Sequence, residues 1–258
     1  MLSKNKIKFI NSIKKKKYRD IHQCFFVEGD KLVDELLDSG LDIIGVYSTL
    51  EWIQDNFNKV SSIERIDINE VTESELKKIS ALSTPNKVLA IVKQTNFTYS
   101  LEEIKKDLSI FLEDINDPGN LGTIIRTADW FGIKNIFCSN NSVDVFNPKV
   151  VQASMGAIYR TKVHYVDSIK FLHDASQLES FNIYGTFLEG NDIYAEKLTN
   201  RGLIVLGSES HGISKSLAPF INKKLFIPNY PKDTETSESL NISIAAAITC
   251  SEFRRRLN

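Results

Sequence analysis

Three loops of this sequence set amides, carboxylates, hydroxyls and one arginine beside glycines or other small residues, the mixture from which ligand pockets are made. In the first, DINDPGNLGTIIRTADWFG from Asp114 to Gly132, Pro118 and Gly119 make a turn and Asn120 can cap the following helix. Gly122 permits close backbone approach, and Arg126 falls in the body of that helix. The second, IVLGSESHG from Ile204 to Gly212, runs a buried strand straight into Gly207, Ser208 and Glu209. Serine beside histidine suggests a nucleophile, but Ser208 stands where the first glycine of a Gly-x-Ser-x-Gly elbow belongs, two positions before Ser210. The loop also lacks the Gly-Lys-Ser/Thr ending of a Walker loop and the second glycine of a dinucleotide site, and His211 reads as a loop polar residue. In the third, SESLNISIAAAI from Ser237 to Ile248, Ser239, Leu240 and Asn241 precede a helix carrying Ala245, Ala246 and Ala247. Side chains that small let the helix lie close to another backbone. Taken singly, each loop is explained as well by turns, caps and close packing as by chemistry.

The elements around these loops follow from apolar patterning. From Leu108 onward, strands are expected at LSIFLED, NIFCS, NIYGTF, GLIVLGSE and KLFIPN, several of them separated by helical segments. That alternation predicts an α/β domain with a mainly parallel sheet, whose ligands gather beyond the carboxyl ends of the strands. Upstream, a basic amphipathic helix with Phe9, Ile10 and Ile13 inward precedes a strand at CFFVEG, a helix from Lys31, a strand at IIGVY and further short elements at IERIDI and KVLAIV. A helix at TESELKKI opens with Thr72 and Glu75 at capping-box spacing. The polar stretch KQTNFTYSLEEIKKD reads as a connection, so the expected organisation is a smaller α/β domain over 1–93, a linker over 94–107 and a larger domain over 108–258.

A chain of 258 residues with 42% hydrophobic side chains can bury a substantial core. Its formal net charge of -1 is unevenly spread: only basic charges occur from Lys4 to Arg19, including Lys14, Lys15, Lys16, Lys17 and Arg19, and Arg254 to Arg256 lie near the end. Such clusters neutralise phosphates or solvate a helix face. No apolar run is long enough to span a bilayer and the start lacks the apolar core of a secretory signal, which points to the cytoplasm. Cys24, Cys138 and Cys250 are odd in number and far apart, which argues against a disulfide framework. Neither they nor the four histidines show metal-ligand spacing.

Together, DPGNLGTIIRTADWFG, IVLGSESHGIS and the pairing of IP with SESLNISIAAAI closely resemble the three signature motifs of the SpoU (TrmH) family of RNA 2′-O-ribose methyltransferases, within the SPOUT superfamily. NPKVVQASMGAIYR, Asn147 to Arg160, resembles the segment joining the family's first two motifs, and FFVEGDKLVDELL resembles its amino-terminal L30e-like RNA-binding extension. The resemblance implies a parallel-sheet domain closed by a deep trefoil knot, with the small residues Ser243 to Ala247 required by tight threading. It implies S-adenosylmethionine as methyl donor, touched by Gly207, Ile227 and Leu240, and Arg126 orienting the ribose hydroxyl and nearby phosphate. Asn120 and Glu209 would fix the loops and Arg126, while Ser239 and Asn241 would contact the target nucleotide or close the site. The implied assembly is a homodimer, and the implied substrate is rRNA, most readily 23S, with tRNA or nonenzymatic RNA binding as alternatives. Cofactor and RNA functions are expected to separate at the linker. The stretch between Pro228 and Ser239 departs from the family's usual shorter, glycine-containing loop.

Overall fold

The apolar runs written after Leu108 become strands of a single sheet, all pointing the same way. In the computed structural model, which describes residues 1–61, 66–231 and 239–255, the chain forms two units. The first comprises Met1–Asn96 with Asp144–Tyr159, the second Phe97–Val143 with Arg160–Asn258. Among the described residues no helix is long and apolar enough to cross a membrane.

The first unit begins with α1 (Lys4–Ser12) and α2 (Lys16–His22), then β1 (Cys24–Glu28), α3 (Asp30–Leu37), β2 (Ile43–Ser48), α4 (Leu50–Asp55) and α5 (Phe57–Ser61). It continues through β3 (Asp67–Glu70), α6 (Glu73–Ile79) and β4 (Val88–Lys93). The sheet order is β1-β4-β2-β3, with β4 antiparallel to both neighbours and β3 parallel to β2. Thr72 and Glu75 close the expected capping box at α6. The short element expected at IERIDI is a strand that begins at Asp67; residues 63–65 of that stretch lie outside the described residues. Ile10 and Ile13 are buried with Cys24, Phe26, Leu76 and Leu89, while Phe9 packs at the edge of this core.

The second unit carries α7 (Leu101–Ile104), β5 (Leu108–Leu112), α8 (Pro118–Trp130) and β6 (Asn135–Ser139). After α9 (Pro148–Ser154), which belongs to the first unit, come β7 (Lys162–Val166), α10 (Ser168–Ser176), β8 (Ile183–Asp192), β9 (Gly202–Leu206), β10 (Lys223–Phe226) and α11 (Ile242–Arg255). Every pairing in the order β10-β8-β9-β5-β6-β7 is parallel. Patterning alone indicated no strand at β7: an edge strand with two exposed positions, its apolar signal is interrupted. β8 runs further than NIYGTF because its outer end rejoins β10 after a register shift, from Gly185 opposite Lys224 to Asn191 opposite Leu225.

Segment 144–159, placed by sequence in the larger domain, is held within the first unit by specific contacts. Phe25 and Phe146 stack with centroids 4.6 Å apart, α9 packs on β1, and the Tyr159 hydroxyl donates to the Leu32 carbonyl at 3.0 Å. Asp144 receives Arg19, whose Nη2 and Nε donate to the same carboxylate oxygen at 2.5 and 3.0 Å. The stretch expected as linker contributes Ile104 and Leu101 to the core of the second unit.

Candidate active site

Strand order locates the site before any side chain does. β5 leads toward β6 and β7 on one side, whereas β9, its neighbour on the other side, leads to β10 at the far edge. Chain leaving two adjacent parallel strands in opposite directions opens a crevice at their carboxyl ends, the place where such sheets bind ligands. The first glycine-rich loop leaves β5 there and the second leaves β9.

α8 starts earlier than the Asn120 cap expected from sequence. Asp117 is the cap: its carboxylate accepts the N–H of Asn120 at 2.8 Å, and Pro118 fills the first helical position, where no hydrogen-bonded N–H is needed. Asn120 therefore lies inside the first turn with its side chain released from capping. Its amide nitrogen donates to Glu209 Oε1, and its amide oxygen accepts from Asn241 Nδ2 at 3.1 Å. Asn241 is the cap of α11, its Oδ1 accepting from the Ser243 N–H at 2.9 Å and the Ser243 hydroxyl at 2.6 Å. One asparagine thus joins loops 89 and 121 residues away.

Arg126 is exposed on α8 and makes no hydrogen bond or ion pair with any described residue, Asn120 and Glu209 included. Thr123 and Trp130 are exposed on the same helix, Trp130 at 84%, and α11 packs against α8 while exposing Ile244. Ser243 and Ala246 are the small residues that α11 buries, so compact side chains do lie on its packed face.

Gly207 is buried immediately after β9, and a Cβ there would strike the backbone of Gly212 and Ile213. Ile227 is half-buried just past β10, and Ser239 and Leu240 are exposed before α11. Residues 232–238 of the extended loop, and Arg256 of the terminal arginines, lie outside the described residues. The described residues contain no group of three or more His, Cys, Asp or Glu that could hold a metal ion.

The basic segment divides. Lys15, Lys16 and Lys17 are exposed, Lys16 pairing with Asp20 at 2.8 Å. Lys14 donates to the Ser80 carbonyl at 2.6 Å, and burial pushes its amine below the usual lysine range although nearby Glu28 pulls the other way. Arg19 must be removed from the phosphate-contacting set: it is 2% exposed and spends its donors on Asp144 and on the carbonyls of Ile13 and Lys14.

Residues that the sequence alone did not single out complete the loop framework. Asp114 adopts a left-handed φ of 51°, its N–H donating to Ser139 Oγ at 2.8 Å while Ser139 donates back to its carboxylate at 2.7 Å. Ser142 Oγ accepts the Ile115 N–H at 3.2 Å, and Glu113 accepts the Ser214 N–H at 2.9 Å. Only the Asp-Pro pair at 117–118 carries a local signal of its role, as cap and first helical residue.

Comparison with known proteins places these features in context. The profile of the SpoU rRNA Methylase family matches residues 107–251, and that of the MRM3-like substrate binding domain matches residues 4–90. A TrmH-family protein from Porphyromonas gingivalis has a solved structure similar to this one, with 37% identity, a TM-score of 0.86 and 99% coverage of each chain. An AdoMet-bound rRNA methyltransferase from Sinorhizobium meliloti has 27% identity and a TM-score of 0.86, covering 100% of this chain and 97% of its own. The 23S rRNA (guanosine(2553)-2′-O)-methyltransferase of Bacillus subtilis is 28% identical, with 96% of both chains covered.

Proposed function

The chain belongs to the SpoU rRNA Methylase family, and from that membership we propose that it transfers a methyl group from S-adenosylmethionine to a ribose 2′-hydroxyl of rRNA, specifically 23S rRNA. The observation that carries the reading is the joining of all three glycine-rich or small-residue loops through Asn120, at the crevice between β5 and β9, on the helix that presents Arg126.

The site's own chemistry fits the cofactor. Gly207 and Ile227 just past β9 and β10, with Leu240 before α11, offer backbone groups and apolar side chains rather than fixed charge, which suits a ligand that is part nucleoside and part zwitterion. When bound, S-adenosylmethionine supplies a methyl group made electrophilic by a sulfonium. Arg126, free of protein partners among the described residues, orients the ribose hydroxyl and the adjacent phosphate by charge and hydrogen bonding. A guanidinium stays protonated, so its contribution is position and field rather than proton removal from the 2′-oxygen. Asn120 and Glu209 keep the loops in register, and Ser239 and Asn241, exposed before α11, meet the target nucleotide.

RNA is gripped by the first unit, read here as an L30e-like domain whose profile match covers residues 4–90, through Lys15, Lys16 and Lys17. Two copies pair through the α8 and α11 surface bearing Trp130 and Ile244, and the carboxyl-terminal segment threads a trefoil knot, as the family membership implies. The enzyme acts in the cytoplasm, as expected for a bacterial-type rRNA-modifying protein.

The test is transfer of labelled methyl from S-adenosylmethionine to rRNA and tRNA taken from a deletion strain, with the product mapped by ribose methylation. Label on a 23S rRNA 2′-oxygen is the expected result. Label confined to tRNA would reassign the substrate, and no transfer to either RNA would sink the enzymatic reading.

A further inference from the structure

Glu113 is a buried carboxylate at the carboxyl end of β5, 9% exposed and without an ion pair among the described residues. A charge in that position is costly unless its hydrogen bonds are met. Its backbone N–H extends the strand ladder to the Leu206 carbonyl at 3.0 Å, and its Oε2 accepts the Ser214 N–H at 2.9 Å. Both contacts are to the chain that leaves β9, one just before the Gly207–Ile213 loop and one just after it.

That loop is closed on itself. Ser208 and Gly212 exchange N–H to carbonyl bonds of 3.1 and 2.9 Å, and Gly207 lies too close to Gly212 and Ile213 for any side chain. Glu209, at its tip, meets Asn120. The loop is therefore a small rigid hairpin whose placement depends on what holds its two ends. The entrance is held by β9 in the sheet; the exit is held by Glu113.

We propose that Glu113 is a positioning residue: its carboxylate holds the exit of the Gly207–Ile213 hairpin, and through it sets the cofactor-facing backbone and the meeting of Glu209 with Asn120. The inference rests on the methyltransferase reading for what the hairpin serves. The neighbouring acid supports it. Asp114, turned by its left-handed backbone, reaches Ser139 at the end of β6, so consecutive carboxylates tie the end of β5 to the end of β6 on one side and to the chain following the β9 hairpin on the other. Aspartate adopts that backbone more readily than most residues, which allows the two side chains to diverge.

The experiment compares Glu113→Ala, Glu113→Gln and Glu113→Asp in the full chain. Each is assessed by calorimetric titration with S-adenosylmethionine, hydrogen exchange of the 208–214 amides, thermal melting and KM against kcat on RNA. Alanine is expected to weaken cofactor binding about tenfold and speed exchange in the hairpin, as when a charged hydrogen bond is lost, with RNA affinity unchanged. Glutamine, whose amide oxygen still accepts from Ser214, stays within about threefold of wild type. Aspartate, one methylene shorter, behaves like alanine and carries the comparison if the alanine protein does not fold. Wild-type binding by both the alanine and aspartate variants would overturn the inference. So would a glutamine variant as weak as alanine, or loosening spread evenly over the whole chain. Failure of the wild type itself to bind S-adenosylmethionine would instead sink the functional reading, and hairpin exchange in the variants would still decide what Glu113 holds.

Discussion

The amide oxygen of Asn120 accepts from Asn241 Nδ2 at 3.1 Å while its amide nitrogen donates to Glu209. Both ends of one side-chain amide are thereby used, each on a different loop. Asn120→Ala removes both bonds, and Asn120→Asp sets a second carboxylate against Glu209. Turnover should fall about tenfold or more in the alanine variant, and the aspartate variant should recover activity as pH is lowered and one carboxylate protonates. Steady-state rates of both proteins across acidic to neutral pH check this; an aspartate variant with a flat profile contradicts the contact.

Arg126→Ala should lower methyl transfer about a hundredfold or more while leaving S-adenosylmethionine binding intact. Because Arg126 is exposed and makes no described protein contact, stability should change by no more than about 0.5 kcal/mol. Single-turnover transfer beside a cofactor titration on the same sample distinguishes this from a structural arginine, whose loss would lower the melting point and spare the rate.

Replacement of Arg19 has a different expected signature from replacement of its lysine neighbours. Arg19→Ala leaves Asp144, 12% exposed, without its partner and should cost about 3–5 kcal/mol in chemical denaturation. Lys15→Ala, Lys16→Ala and Lys17→Ala should each leave stability nearly unchanged but weaken RNA binding and reduce its salt slope by about one. An Arg19 variant that melts normally would refute the buried ion pair as a stabilising clamp.

Deleting residues 1–92 should not give a well-behaved cofactor-binding fragment, contrary to the separation expected from sequence. Val150 and Val151 are buried residues of α9, which belongs to the first unit and would lose the β1 surface it packs on. The fragment should aggregate or bind a hydrophobic dye, and replacing 144–159 by a short polar link should relieve this. A monodisperse fragment that retains 144–159 and binds no dye would contradict the packing.

His164 makes stability pH-dependent in a definite direction. Its ring stacks on Phe137 with centroids 4.9 Å apart, and burial, helped by Lys162 and opposed by a hydrogen bond to the Phe97 backbone, holds its pKa below the ordinary 6.5. The unfolded chain then takes up the proton first as pH falls. The stabilisation is complete above 6.5 and is lost as pH drops from there toward the depressed folded value. Denaturation from about pH 8 to about pH 5 should show that decline, and His164→Phe should flatten it.

By itself the sequence determined most of the strands, because unbroken apolar runs such as LSIFLED and GLIVLGSE have few alternatives to a buried parallel strand. It also determined the Thr72 capping box, a pattern complete within four residues, and the family, whose motifs are contiguous. β7 was illegible because exposed edge positions break its pattern, and its place depends on pairing with β6. Tertiary structure alone decided what partners distant in sequence decide. Arg19 stands in a lysine run that looks like a solvated face, and only Asp144, 125 residues away, makes it a buried anchor. Asn120 looks like a cap until Asp117 takes that position and turns the amide toward Glu209 and Asn241. Glu113 reads as the polar end of a strand until Ser214 closes on it. A side chain's propensity is set by its neighbours along the chain, whereas the donors and acceptors that satisfy it once buried are set by how the strands are ordered, and in this protein that order places β9 beside β5.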